Sequence, residues 1–334
     1  MKLLPESNGL YRVNMKKKLK PFDIFKITAI SIVGLLLVGF LYQSISDFAI
    51  KEKLKYRYDY TRVNDKLMDY YMSGSGDYTV IFDGNIGGDL SQWTSIVEEL
   101  NKNSVRTFVY NRQGYGYSED GTALSPKEQA ENLKILLRKA GISGEFILVG
   151  EGYGSLVMTN FAKEYPDSVA GMVLVNPINE ESIGSKEIKD EYKITKIRRK
   201  IEAIGSSFGL TNILDKLNLT VELDDYEKKI PEIFQEEFIA HRTMSNYTNA
   251  VYNEIDNLVS GTSESQEENL LNGKPLYLIT NDKEDPVKKI GSESNTYIYE
   301  TESTSKFMAL DDSDAIITGI THLTKELKMS NRAR

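Results

Sequence analysis

The feature that most constrains how this chain folds is an uncharged, apolar segment near its N-terminus. Residues 27–46 carry no charged side chain and are rich in isoleucine, leucine and valine. A helix needs roughly 20 apolar residues to cross the hydrocarbon core of a bilayer, and a lone segment can satisfy its backbone hydrogen bonds there only as a helix. We therefore predict a transmembrane helix over 24–46, preceded by a basic leader (1–23) and followed by a stalk (47–59).

The charges around this segment predict its orientation. Lysines crowd its N-terminal side: Lys16, Lys17, Lys18, Lys20 and Lys26. The basic residues of 51–57 are instead mixed with acidic ones. Because positive charge is retained in the cytoplasm, we expect a single-pass membrane protein with a cytoplasmic N-terminus and an extracytoplasmic main domain. A cleaved signal peptide is the alternative, since Ser44, Ile45 and Ser46 place small residues at the separation that cleavage requires.

Composition excludes several classes of partner and site. The net charge of -8 argues against nucleic acid as a partner, because phosphate binding needs a basic face. The chain contains no cysteine, which excludes disulfides, thiolate metal sites and a cysteine nucleophile. It also shows no paired histidines and no cluster of acidic metal ligands, so we predict no metal site.

From residue 60 onward, short apolar strands alternate with helical patterns. The predicted strands are 61–63, 66–72, 78–82, 105–110, 146–149, 172–175, 275–280 and either 297–300 or 306–310; the predicted helices are 91–101, 125–140, 156–165 and 316–328. This alternation predicts an α/β fold with a mostly parallel, twisted sheet flanked by helices. Residues 179–268 lack a convincing strand and are helical in tendency, so we expect an insertion between two core segments, 60–178 and 269–330.

One strand of this pattern runs into a turn with glycine at alternate positions. Gly150, Gly152 and Gly154 lie between the strand at 146–149 and the next helix. A dinucleotide-binding loop begins in a similar way, but its third glycine would lie one residue later. No acidic residue closes the following strand either, where Asn176 stands. We therefore predict no nucleotide cofactor.

Four segments together resemble the α/β-hydrolase fold family, and more narrowly its lipase- and esterase-like members with a helical lid. They are residues 82–88 with Trp93, residues 110–118, residues 149–155 with 164–166 and 173–177, and residues 275–285. The resemblance covers residues 60–330. It implies that the glycine turn is the family's nucleophile elbow, a sharp strand-to-helix turn, and that 179–268 is the lid.

Carried over position by position, the resemblance implies a degenerate catalytic triad. The nucleophile position is Gly152, which has no side chain to attack a substrate. The acid position, after the strand at 275–280, falls on Asp282 or Asp285. The histidine position falls on Ala315, or on Asp314 with a one-residue slip. Nucleophile and general base are thus both expected to be missing.

The oxyanion hole depends on backbone amides and survives such substitutions. The resemblance places its donors at Asn85 or Ile86 and at Tyr153. We therefore expect a polar remnant of the pocket, able to hold a small apolar or ester-like ligand or part of a protein partner.

Four side chains could replace the missing groups: Ser118, Ser155, Glu151 and His322. Simpler interpretations exist for each. Ser118 suits a turn, and Ser155 suits a hydrogen bond to the preceding turn. Glu151 could be a general acid or base with a raised pKa, although exposure or a salt bridge explains it more simply. His322 falls in the closing helix, where a surface or packing role is favoured, and the other histidine, His241, falls in the insertion.

The sequence therefore favours a membrane-anchored, hydrolase-like protein that has lost acyl-hydrolase chemistry and binds a ligand or partner in the remnant pocket. Two alternatives stay open. One is an active esterase- or lipase-like hydrolase with displaced catalytic residues. The other is a structural partner in a membrane complex, whose sign would be bulky side chains filling the space above Gly152.

Overall fold

The computed structural model describes residues 20–54, 57–223 and 225–333. Lys16, Lys17 and Lys18, on which the predicted orientation depends, lie outside the described residues, as does most of the predicted leader.

The N-terminal helix is longer than predicted. Helix α1 runs from Pro21 to Leu54, and the part suited by length and composition to crossing a bilayer is Pro21–Ile50. A signal sequence would pass the same test. Residues 47–54 of the predicted stalk continue the helix, because nothing between Asp47 and Leu54 is a proline or glycine that would end it.

Eight strands form one sheet in the order β1-β2-β4-β3-β5-β6-β7-β8. Their bounds are β1 Asp59–Val63, β2 Lys66–Ser73, β3 Thr79–Asp83, β4 Arg106–Tyr110, β5 Phe146–Glu151, β6 Val169–Val175, β7 Leu276–Thr280 and β8 Thr296–Glu300. The β1–β2 hairpin and the β2–β4 pair are antiparallel, whereas every pair from β4 to β8 is parallel. The predicted mostly parallel sheet is confirmed.

Ten further α-helices follow α1 in the described residues. They are α2 Thr94–Lys102, α3 Pro126–Lys139, α4 Tyr153–Glu164, α5 Lys186–Ser206, α6 Leu210–Lys216, α7 Tyr226–Lys229, α8 Glu232–His241, α9 Ser245–Ser260, α10 Met308–Asp311 and α11 Ser313–Ala333. Helix α3 begins with the expected serine cap, since Ser125 and Glu128 form a reciprocal capping box. Helices α5 to α9 make up the helical insertion, within the predicted 179–268.

The sheet is covered on both faces, as period-two alternation along its strands requires. On β3, Val80 and Phe82 join the core cluster that contains residues of α2 and α11. Ile81 between them faces the other cluster, which contains residues of α3 and α4. A third cluster joins the helical insertion to the loops at the carboxyl ends of the strands, and the candidate site lies at this edge.

Candidate functional site

The predicted sharp turn between strand and helix is present. Strand β5 ends at Glu151 and α4 begins at Tyr153, so Gly152 alone makes the reversal, with φ 52° and ψ -116°. A positive φ is strained for any residue with a side chain. At Gly154, a Cβ would collide with the backbone carbonyl of Asp83. The turn therefore keeps the geometry of an elbow that holds its central residue above the sheet.

Two backbone amides converge on the side chain of Asn85. The amide of Ile86 donates a hydrogen bond to Asn85 Oδ1 at 2.8 Å, and the amide of Tyr153 donates to the same oxygen at 3.1 Å. Asn85 Nδ2 donates to the backbone carbonyl of Lys306 at 2.9 Å. These are the amides that the resemblance assigns to the oxyanion hole. Asn85 Oδ1 accepts from both amides, as the carbonyl oxygen of a substrate would.

Asn85 also fills the place of a nucleophile side chain. A Cβ added at Gly152 would overlap the carboxamide group of Asn85. A serine at position 152 is therefore incompatible with the present position of the Asn85 side chain.

An open cleft with a volume of about 440 Å³ lies over the elbow. Its walls combine polar side chains with apolar ones: Asn85, Asn176, Pro177, Ile178, Tyr192, Thr280, Asp282, Asp285, Ser305 and Lys306. A second cavity of about 200 Å³ beneath the helical insertion shares Asn85, Tyr192 and Lys306 with the cleft. Its remaining wall is mostly apolar, with Ile86, Val221, Leu223, Val251, Ile255 and Phe307, but it also contains Thr195, Arg199 and Glu222.

Both predicted acid candidates line the cleft, in different environments. Asp285 is buried and accepts hydrogen bonds from Thr280 Oγ1 and from the amide of Val287, both at 2.9 Å. Burial raises the pKa of its carboxyl group. Asp282 is exposed and accepts from the amide of Glu284 at 2.8 Å. Asp285 is thus held rigidly at the cleft, whereas Asp282 shapes its rim.

The predicted position of the histidine is not at the cleft. Ala315 lies in the first turn of α11, buried in the core beneath the sheet, and Asp314 beside it is exposed. Residues 310–311 end α10 and residues 313–316 begin α11, so Asp312 alone separates the two helices. The alternative last strand at 306–310 is wrong, because β8, Thr296–Glu300, is the last strand and Met308 begins α10. Residues 304–306 line the cleft instead.

Glu151 contradicts the prediction that it is exposed or in a salt bridge. Its side chain is 1% exposed and, within the described part of the chain, has no salt-bridge partner. It accepts hydrogen bonds from Gln92 Nε2 at 3.0 Å and from the amide of Ala309 at 3.1 Å. Burial raises the pKa of Glu151 to about 8. The carboxyl group therefore fastens α10 to the elbow, away from the residues that line the cleft.

This burial predicts a pH dependence of stability. A carboxyl group with a pKa of about 8 in the folded protein and about 4.5 in the unfolded chain binds more protons when folded, so stability falls as pH rises between these values. We expect Glu151→Gln to reduce this slope by up to about 1.4 kcal/mol per pH unit. Chemical denaturation of the full chain in detergent at pH 5 to 8 measures it. Glu145→Gln, at an exposed site, should leave the slope unchanged; equal slopes in all three proteins would contradict the assignment.

The two serines singled out by the sequence are buried hydrogen-bonding groups. Ser155 Oγ donates to the carbonyl of Gly152 at 2.6 Å and accepts from the amide of Ile178 at 3.0 Å. Ser118 Oγ donates to Asp69 Oδ1 at 2.6 Å. Neither lines the cleft. The simpler interpretation of Ser155, as a residue that bonds the preceding turn, agrees with these contacts.

The two histidines contact aromatic rings away from the elbow. The ring of His322 packs against the ring of Tyr297 on β8, with 4.2 Å between their centroids. The ring of His241, in α8, packs edge-on against Tyr117 at 4.3 Å. No described histidine lines the cleft.

Sequence reasoning missed two features of this site. It assigned a role to the backbone of Asn85 but none to its side chain, and it did not single out Lys306. The role of the Asn85 side chain could have been suspected from the sequence, because a carboxamide follows β3 by two residues in a chain with glycine at the nucleophile position. The position of Lys306 follows from the path of the loop after β8, for which the sequence carries no signal.

Comparisons with known proteins agree with this architecture. Residues 80–277 match the family model described as alpha/beta hydrolase fold. The uncharacterised protein YqjL of Bacillus subtilis (strain 168) is 25% identical over 108 residues, which is 32% of this chain. The chain matches only 42% of the length of that relative.

Solved structures resemble the chain over most of its length. The epoxide hydrolase CorEH superposes with a TM-score of 0.62 at 16% identity, over 81% of this chain and 99% of that one. The enol-lactonase of Burkholderia xenovorans LB400 superposes with a TM-score of 0.58 at 16% identity, over 80% of this chain and 100% of that one. At these identities the likeness shows the fold alone.

Proposed function

This chain belongs to the α/β-hydrolase fold family, and on that premise we propose that it has lost acyl-hydrolase chemistry and binds a ligand in the cleft over Gly152. The observation that carries the proposal is the Asn85 carboxamide. It occupies both amides that would stabilise an oxyanion, directly over a residue that has no side chain. Acyl transfer needs both a nucleophile and these donors.

The positions of the possible substitute groups support the same proposal. Ser118, Ser155, Glu151 and His322 are all absent from the cleft wall. The first three are buried in hydrogen bonds that hold loops in place. Displaced catalysis would require one of them to meet a substrate in the cleft, so these contacts favour binding over turnover.

The shape of the site favours a small-molecule ligand over a purely structural role. A filled pocket would show bulky side chains above Gly152, but a cleft of about 440 Å³ is open there. The adjoining cavity is walled mostly by aliphatic and aromatic residues, with Thr195, Arg199 and Glu222 among them, and Lys306 lies where the two spaces meet. We infer a ligand with an apolar body beneath the helical insertion, which would act as the lid, and a polar or anionic end near Lys306.

The membrane is the second part of the proposal. Helix α1 is long and apolar enough to span a bilayer, and we propose that it stays as an anchor with the N-terminus in the cytoplasm and the main domain outside. No cofactor or metal enters the proposed function.

The proposal is tested with the full chain in detergent, beside a Ser118→Ala/Ser155→Ala variant. We expect no labelling by a fluorophosphonate probe and no turnover of short or long acyl esters. Covalent labelling that disappears in the double variant would overturn the proposal and assign the chain a displaced nucleophile.

Ligand binding is tested by thermal shift with saturated fatty acids of increasing length as probes. At 100 times its dissociation constant, a bound acid stabilises by about 2.7 kcal/mol, which raises Tm by about 5–10 °C for a domain of this size. We expect Lys306→Ala to weaken the shift and Lys66→Ala, which lies on the edge hairpin, to preserve it. Equal shifts in both variants would mean that the acid binds elsewhere.

A further inference from the structure

The outer surface of the helical insertion is unusually apolar. On α5, Ile194, Ile197, Ile201 and Ile204 are between 56% and 71% exposed. Their spacing places them on one face of the helix. Ile213 on α6 and Leu217 immediately after it are 56% and 61% exposed. Contiguous apolar surface of this kind is rare on water-facing domains and marks a site of interaction.

This apolar face is continuous with α1. At the corner between α5 and α6, the carbonyl of Phe208 lies so close to Gly39 that a Cβ there would overlap it. Asn212 Nδ2 donates to Gln43 Oε1 at 2.6 Å, and Gln43 is only 3% exposed on a helix whose side chains are otherwise largely exposed. The insertion therefore contacts α1 inside the stretch suited to the bilayer.

The depth of this contact fits the outer part of a bilayer. Gln43 and Gly39 precede Ile50, the end of the candidate span, by seven and eleven residues, or about 10 Å and about 16 Å of helix. Amphipathic helices at a membrane surface bury their apolar face by about 5–10 Å. The corner of the insertion thus reaches the depth expected of an interfacial helix and extends below it.

Exposed basic side chains flank the apolar face. Lys193, Arg198 and Lys200 on α5 are exposed, whereas the exposed acidic residues Glu187, Asp190 and Glu191 lie in the first two turns of the helix, before that face begins. Long basic side chains can cover apolar surface with their stems while their charged ends reach lipid headgroups.

We propose that the exposed face of α5 and α6 lies in the outer leaflet of the bilayer beside α1, with lipid acyl chains as its occupant. This inference rests on the anchoring of α1 proposed above and not on ligand binding in the cleft. The opposite face of α5 carries Tyr192, Thr195 and Arg199, which line the cavity beneath the insertion. Helix α5 is therefore the wall between that cavity and the lipid.

The absence of cysteine from the chain allows a direct test. Ile197→Cys and Ile213→Cys, each labelled with an environment-sensitive nitrobenzoxadiazole dye, are reconstituted as the full chain in phosphatidylcholine–phosphatidylglycerol vesicles containing acyl-brominated lipid. Glu145→Cys is the matched control. Glu145 is exposed and immediately precedes β5, at the end of that strand opposite the elbow. We expect several-fold stronger quenching at positions 197 and 213 than at 145; equal quenching at all three would overturn the proposal.

A second pair of variants tests the contact with α1. Gly39→Leu should displace Phe208 and lower the quenching at position 213, whereas Gly34→Leu should not, because a Cβ at Gly34 meets nothing within 4 Å. Flotation of the same vesicles reports anchoring separately. Protein that floats with unquenched dyes at 197 and 213 would refute this inference and leave the anchor intact, and protein that does not float would refute both.

Discussion

Gly152→Ser alone is expected to leave the protein unreactive toward a fluorophosphonate, whereas adding Asn85→Ala and Lys306→His should raise the labelling rate by at least about 10²-fold. The first change supplies a hydroxyl group, but the Cβ that carries it would overlap the Asn85 carboxamide. The second removes that group and frees the amides of Ile86 and Tyr153. One oxyanion donor contributes about 10²–10³ in rate, and a general base about 10²–10⁴.

Position 306 is chosen for the base because it lines the cleft together with Gly152 and Asp285. Ala315→His in the same Gly152→Ser/Asn85→Ala background is the matched control. It restores histidine where the sequence placed it, but Ala315 is buried in the core, so no gain in labelling is expected there. The measurement is the rate of covalent labelling of each purified full-length variant, with unfolding temperatures to confirm that each one folds.

The outcome decides between two explanations of the lost chemistry. If Gly152→Ser alone labels as fast as the combined variant, the carboxamide does not occupy the donors in solution. If the combined variant fails while folded, the cleft residues do not reach the elbow in a productive geometry. The first result would contradict the assignment of Asn85 as an internal occupant of the oxyanion hole, and the second would contradict the choice of position 306 for the base.

The sheet could be predicted because most of its parallel strands contain an apolar run bounded by turn residues. Strand β6, Val169–Val175, is buried along its whole length, as expected of a strand covered on both faces. The edge strand β8 gave no such signal. Its residues are half-buried or exposed, so the apolar segment 306–310 was an equally good candidate for the last strand. Most of that segment instead forms α10, which packs against the sheet.

The candidate site was predictable only where backbone determines it. The elbow and its amides follow from glycine spacing within one short segment. The carboxamide in the donor pair depends on one rotamer of Asn85 and on a hydrogen bond to Lys306, 221 positions along the chain. The buried position of the Glu151 carboxyl group likewise depends on a hydrogen bond from the amide of Ala309, 158 positions away. Contacts of such separation leave no periodicity in the sequence.

Arg112→Met is expected to lower the free energy of unfolding by about 3–5 kcal/mol, because it leaves two buried carboxylates without their cation. Arg112 is 4% exposed. Its Nε donates to Glu254 on α9 at 2.7 Å, and its Nη1 pairs with Asp83 at the end of β3. It also donates to the carbonyl of Gly84 at 2.8 Å. One guanidinium group thus joins the helical insertion to the strand end beside the elbow.

Two comparisons separate charge from packing. Arg138→Met, on the exposed side of α3, should change stability by less than about 0.5 kcal/mol. Arg112→Met combined with Asp83→Asn and Glu254→Gln should recover part of the loss, since removing a whole buried ion network is far less costly than breaking it. Chemical denaturation in detergent measures all three. A combined variant less stable than Arg112→Met alone would show that packing of the guanidinium, and not its charge, holds the insertion to the core.

The loss of stability caused by Arg112→Met should also depend on pH, in a direction that the buried carboxyl group of Glu254 determines. Burial raises the pKa of Glu254, and the charge of Arg112 opposes that rise. Without Arg112 the pKa of Glu254 rises further, so the folded variant binds more protons than the unfolded chain over a wider range above about pH 4.5. The stability of the variant then increases as pH falls through that range. We therefore expect the deficit of Arg112→Met to be largest near pH 8 and to shrink toward pH 5, and a deficit that is constant with pH would contradict the ionised state of this network.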